Sequence, residues 1–182
     1  MKNAKRLITT ILLLCAVMLI AVGCTPTNAP IETEFDDMEI SKIETAHWEG
    51  FAPFPGYYLR TFDFKHGTVS DTLVLDAYAS DYINNIPREE ADKFNNPKQI
   101  TTFTEEQAKT LYEKIKSLGF LAWGDEYITD ETICDGGSES VTVYFSDGTV
   151  KSTKIYFIDP PKYEEIRKAF EDNFGVTFYL SF

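Results

Sequence analysis

Residues 141–158 read Val-Thr-Val-Tyr-Phe-Ser-Asp-Gly-Thr-Val-Lys-Ser-Thr-Lys-Ile-Tyr-Phe-Ile. Two runs rich in β-branched and aromatic residues, 141–145 and 150–158, flank an Asp-Gly pair, which is among the strongest local signals for a β-hairpin. The same turn grammar occurs 81 residues earlier, where Phe-Lys-His-Gly-Thr-Val-Ser-Asp-Thr (64–72) lines up with Phe-Ser-Asp-Gly-Thr-Val-Lys-Ser-Thr (145–153). Around this first copy, 57–64 and 72–78 read as the strands of another hairpin. The shared residues are those a turn and its flanks require: Gly for positive φ, Thr and Val for strand faces. The reactive groups are not shared, since His66 aligns with Asp147 and Lys65 with Ser146. The repeat is therefore not a duplicated active element. Convergent turns and an ancient ββα duplication both remain open.

Helical signals follow each hairpin. Thr104-Glu105-Glu106-Gln107 is a capping box, and Ala108, Leu111, Tyr112, Ile115 and Leu118 recur behind it at helical spacing until Gly119. A second helix is expected from Asp159 with Pro160 and Pro161 in its first turn, an inward face of Tyr163, Ile166, Phe170 and Phe174, and Gly175 at its end. Between the halves, Pro-Arg-Glu-Glu-Ala-Asp-Lys-Phe (87–94) reads as a short helix amid Asn/Pro punctuation. The last seven residues, Val-Thr-Phe-Tyr-Leu-Ser-Phe, read as a final strand. The expected fold is thus α+β: an antiparallel sheet of two β-hairpins plus a C-terminal strand, packed by two main helices. From residue 104 onward, the order of helix, Trp, acidic loop, Asp-Gly hairpin, Pro and helix resembles α+β domains carried by surface lipoproteins of Gram-positive bacteria. That resemblance implies no activity.

The N-terminus says where the chain goes. Lys2, Lys5 and Arg6 precede an apolar run from Leu7 to Val22, closed by Gly23-Cys24, the basic–apolar–small order of a secretory signal. The run is short for a membrane span, which needs about 20 residues. Ala21-Val22-Gly23-Cys24 resembles the lipobox of bacterial prolipoproteins, with Ala where Leu is commoner. This resemblance implies lipidation of Cys24, cleavage before it, and a chain anchored on the extracytoplasmic face of the cell membrane. The expected organisation is a signal peptide at 1–23, a lipidated Cys24 with an acidic tether over 24–37, and one domain over 38–182. Removal of residues 1–23 takes three basic and no acidic residues, moving the formal charge from −12 to −15. Such a chain repels nucleic-acid phosphate and anionic headgroups, so nucleic acid is not a partner and lipid, not charge, is the link to the membrane.

The chemistry-bearing residues are few. Cys134 is the only thiol besides Cys15 and Cys24, and its neighbours Asp130, Glu131 and Asp135 disfavour a thiolate. With His47 and His66 as the only histidines, a multi-histidine metal site is excluded, and no cofactor motif occurs. Asp130, Asp135 and Glu139 form a weak calcium candidate, spaced about every five residues rather than in the alternate pattern of a calcium loop. The stretch 47–58 holds Trp48, Phe51, Phe54, Tyr57 and Tyr58 with two prolines. Phe51, Phe54 and Tyr57 are the candidate ligand-binding residues, either gripping a sugar or peptide or folding over a sheet edge to cap the core. Three functional classes stay open: a non-catalytic module binding a protein or envelope polymer, a carboxylate-dependent envelope hydrolase, and a structural or inhibitory surface domain.

Overall fold

The computed structural model describes residues 33–49, 54–76, 79–129 and 137–179. Cys24, Phe51, Asp130, Cys134 and Asp135 therefore lie outside the described residues. Residues from Ile31 onward form one unit. Its seven strands are β1 (Ile40–Trp48), β2 (Gly56–Asp63), β3 (Thr68–Leu75), β4 (Lys98–Thr102), β5 (Glu126–Ile128), β6 (Ser138–Phe145) and β7 (Val150–Tyr156). They make a single sheet in the order β4-β3-β2-β1-β6-β7-β5, antiparallel throughout except for β5 beside β7. The helices are α1 (Ser80–Asn85), α2 (Arg88–Ala91), α3 (Glu105–Ser117) and α4 (Tyr163–Phe174). No helix among the described residues is long and apolar enough to cross a membrane.

Both hairpins form, β2–β3 and β6–β7, and Gly67 and Gly148 in their turns hold positive φ of 63° and 91°. Thr104 and Gln107 make the reciprocal capping box of α3, and Gly119 and Gly175 leave the two long helices in the left-handed region. α4 begins at Tyr163, four residues later than the Pro pair suggests. Residues before proline are pushed out of the α region, so the helix does not begin at Asp159 or Pro160, and Lys162 turns the chain into it at φ 60°.

The two helices pack on one face of the sheet and share one core. Leu111 and Ile115 of α3 and Ile166, Phe170 and Phe174 of α4 meet Ile43, Phe62, Val69, Val141 and Val143 of the sheet. Phe62 lies 4.8 Å from Phe170, and Phe103 stacks on Phe174 at 4.2 Å. Each such buried side chain contributes about 1.5–3 kcal/mol by leaving water.

Two expectations need correction. Val176–Tyr179 forms no strand. The segment crosses the core face of the sheet, where buried side chains take its carbonyls: Thr45 Oγ1 donates to Phe178 O at 2.6 Å, and Arg60 Nη1 donates to the carbonyl oxygen of Thr177. With these acceptors satisfied and Phe178 buried against Phe170, the segment gains nothing from a ladder. Residues 33–37 are also not a free tether. The Tyr112 hydroxyl and the Lys116 ammonium both donate to Asp36 O, and Phe35 stacks on Phe145 at 5.4 Å, so the folded part begins by Thr33.

The repeat question has a geometric answer. β2 and β6 both run antiparallel to β1, one on each side, and β3 and β7 lie outside them. Aligned residues such as Phe62 and Val143 face the same core. Mapping β2 onto β6 and β3 onto β7 with the core face kept is a reflection through β1. No rotation performs a reflection, so the two hairpins are not copies related by symmetry within this sheet.

Candidate functional site

Alternation along the strands gives each face of the sheet its own set of side chains. Ile43, Thr45 and His47 of β1 face the helices. Lys42, Glu44, Ala46 and Trp48 face the other way, away from the two long helices. The register then brings residues distant in sequence into one line. Trp48 pairs with Ser138 of β6. One step beyond the His47–Tyr58 pair it meets Tyr57 of β2, with ring centroids 4.5 Å apart. Tyr57 pairs with Val74 of β3. On the other side, one step beyond the Glu139–Ile155 pair, Ser138 comes opposite Tyr156 of β7, which pairs with Ile128 of β5.

The result is a transverse row on the open face: Val74, Tyr57, Trp48, Ser138, Tyr156, Ile128. It crosses six strands, about 24 Å at about 4.8 Å per spacing. Tyr156 is 37% and Ile128 47% exposed, whereas Trp48 and Tyr57 are half-buried against each other. Burial, and behind it the charges of Glu44 and Asp76, raise the Tyr57 phenol above its ordinary range, so the ring is neutral at every physiological pH. Behind the row on the same face lie Leu59 and Ser140, with Ala46 and Thr72 buried among their neighbours. Farther along, Tyr144 donates to Glu44 Oε2 at 2.7 Å under the Lys42 ammonium, and burial with that bond raises its phenol to about 12.

Beyond the end of β7, Phe157 is 54% exposed with φ 63°, beside exposed Ile158. A bulky residue in the left-handed region costs about 1–2 kcal/mol, and holding an aromatic ring in water there gains no core contact in return.

Directly beneath the row, on the core face, His47 Nδ1 lies 3.4 Å from Glu139 Oε1, and the Tyr163 hydroxyl donates to Glu139 Oε2. Glu139, through hydrogen-bonding reach and charge, raises the His47 pKa against the opposing effect of burial, with Glu49 adding to it. The two groups lie near the outer limit of hydrogen-bonding distance, and their geometry falls short of a well-formed bond. Burial pushes the Tyr163 and Tyr179 phenols well up, and the buried Tyr179 hydroxyl makes no well-formed hydrogen bond.

A groove of about 1010 Å³ lies at the opposite end of the sheet, where the chain enters the fold. Its floor is Ile40, Phe64, Ile115 and Phe145, and Asp36, Asp37, Glu39 and Glu105 stand on its rim. The hairpin turns meet here because Phe64 N donates to Ser41 O and Ser146 N to Glu39 O, bracketing the start of β1.

Of the residues singled out by sequence, Tyr57 joins the row. Phe54 does not: it is 7% exposed, with its ring against Tyr58 and Phe94, each 5.2 Å away. That half of the aromatic segment caps the core, as rings near a sheet end do when they can leave water. Glu139 is engaged by Tyr163 and His47, and no group of three or more His, Cys, Asp or Glu among the described residues could hold a metal. Trp48, Tyr156 and Ile128 were not legible as site residues, because only register joins them. No family model, curated protein or solved structure matches this chain.

Proposed function

We propose that the protein is a lipid-anchored, extracytoplasmic binding module that holds a protein or polymer of the cell envelope on the open face of its sheet, without catalysis. The observation that carries this reading is the aromatic row. Rings that are amphipathic and partly exposed, with Trp48 and Tyr57 braced against each other, provide contact area at low entropic cost. β1 also separates the row from the point of entry: its eight steps from Ile40 to Trp48 span about 26 Å.

The test uses the full chain, fluorescently labelled in detergent, cosedimented with isolated envelope fragments. Saturable cosedimentation lost in Tyr156→Ala, with an unchanged melting temperature, supports the reading. Equal cosedimentation of wild type and Tyr156→Ala/Trp48→Ala would discard the open face as the binding surface.

A further inference from the structure

We infer that the row takes an uncharged, extended glycan strand laid across β3-β2-β1-β6-β7-β5, an inference that rests on the open face being the binding surface. The ligand chemistry follows from what the row offers and what the rest of the chain forbids. A sugar ring has one face of C–H groups and a rim of hydroxyls. The C–H face stacks on electron-rich rings, and Trp48/Tyr57 and Tyr156 supply two such platforms separated by one strand. Ser138 lies between them, and Ser140 lies behind, presenting hydroxyls that both donate and accept as sugar hydroxyls do.

Charge decides among ligands that stack. The row itself carries no ionisable group other than two phenols, and Glu44 and Asp76 act on its Tyr57 end. The whole chain carries 29 acidic against 17 basic residues. Single-stranded nucleic acid also stacks on aromatic rings, but needs a positive groove for its phosphates. Anionic envelope polymers meet the same repulsion. A folded protein partner wants a contiguous, well-packed apolar core, whereas here the line behind the row runs from Leu59 and Ala46 through Ser140 into the exposed Lys154–Glu126 ion pair. An uncharged ligand pays none of these costs. The length of the row, about 24 Å, demands an extended chain of several sugars rather than a monosaccharide.

Tryptophan fluorescence reads this directly, because Trp123 is 3% exposed and Trp48 is the half-buried indole at the row. The full chain in detergent is titrated with chitohexaose, cellohexaose, a matching disaccharide, and polygalacturonate as the anionic control. The expected result is a saturable change with at least one neutral hexasaccharide, weaker binding of its disaccharide, and none with polygalacturonate. Tyr156→Ala should weaken binding about tenfold, the worth of one good aromatic contact. Because Tyr156 is exposed, this variant should fold; Trp48→Phe, which keeps the ring, should bind within a few-fold of wild type when read by calorimetry. The glycan inference is overturned if neither hexasaccharide binds, if Tyr156→Ala binds them equally well, or if polygalacturonate binds more tightly. Should the hexasaccharides fail while envelope cosedimentation still depends on Tyr156, the open face stands and only its ligand class is wrong. Should both fail, both readings go.

Discussion

Removing the Arg60 guanidinium should release the C-terminal segment from the sheet. Arg60 is 5% exposed on the core face of β2. Its Nε and Nη2 donate to the two carboxylate oxygens of Asp71 at 2.7 and 2.8 Å, while Nη1 reaches the Thr177 hydroxyl at 2.8 Å and the Thr177 carbonyl. Arg60→Met strands a carboxylate with only 16% of its side chain in water and takes a donor from the Thr177 carbonyl, while the Thr177 hydroxyl keeps the Tyr179 carbonyl as its partner. Breaking one side of a buried pair costs about 3–5 kcal/mol. Partial solvation of Asp71 places this case near the lower end, at about 3 kcal/mol, or roughly 6–12 °C for a chain of this size. Adding Asp71→Leu removes the stranded charge and should recover at least half of the loss, because Thr177 is exposed and water can replace its lost donor. Urea unfolding followed by circular dichroism gives both numbers, and hydrogen exchange should show early loss of protection at residues 176–179. A cost below about 1 kcal/mol for Arg60→Met, or a double variant no more stable than the single, would refute the idea that this clamp holds the segment.

Other outcomes follow from single contacts. Gly56→Ala should destabilise strongly, because a Cβ there would lie 2.0 Å from the Val74 carbonyl oxygen, while Gly124→Ala, whose nearest contact is 3.8 Å away, should leave the melting temperature unchanged. Phe157→Gly should leave stability equal or raise it by about 1 kcal/mol in thermal unfolding, since it removes left-handed strain from an exposed residue. His47 has a folded pKa above its ordinary 6.5, so its contribution is fully present below 6.5 and is lost as pH rises through the folded value; urea midpoints should fall across that window, and Glu139→Gln should flatten the fall. Cys24→Ala should leave an uncleaved precursor that takes up no radiolabelled palmitate, and normal processing of that variant would exclude the lipoprotein reading.

Local signals were legible and non-local ones were not. Both hairpins and both long helices could be read because Asp-Gly, the Thr104 capping box and the Gly119 and Gly175 stops act within a few residues. The central strand β1 escaped notice. Its core face is Ile43, Thr45 and His47, and only the first is a strong apolar signal. Thr45 is buried because its hydroxyl has the Phe178 carbonyl to donate to, a partner 133 residues away. β4, Lys98–Thr102, is an edge strand with hardly any burial and so has no alternation to detect. The final segment carries strand-forming residues, but Arg60 and Thr45 compete for its carbonyls. The aromatic row is the extreme case: six residues from six strands, joined by nothing but register.

The row and the core are nevertheless one construction. Its middle members, Trp48 and Ser138, are next in chain to His47 and Glu139, which face inward. Glu139 is held by the Tyr163 hydroxyl at the start of α4, so the first turn of that helix fixes the end of β6. On the other side, Gly137 lies against the Trp48 carbonyl, where an added Cβ would stand 2.6 Å away. Only a glycine lets the chain reach Ser138 at that separation. Trp48 and Tyr57 thus sit on backbone whose opposite face is locked into a polar or aromatic contact, through His47 and Tyr58. A binding surface of rings gains from this because rigidity is settled on folding instead of on binding. It follows that changes on the inward face, Tyr163→Phe above all, should loosen the geometry of the row while touching nothing that a ligand would meet.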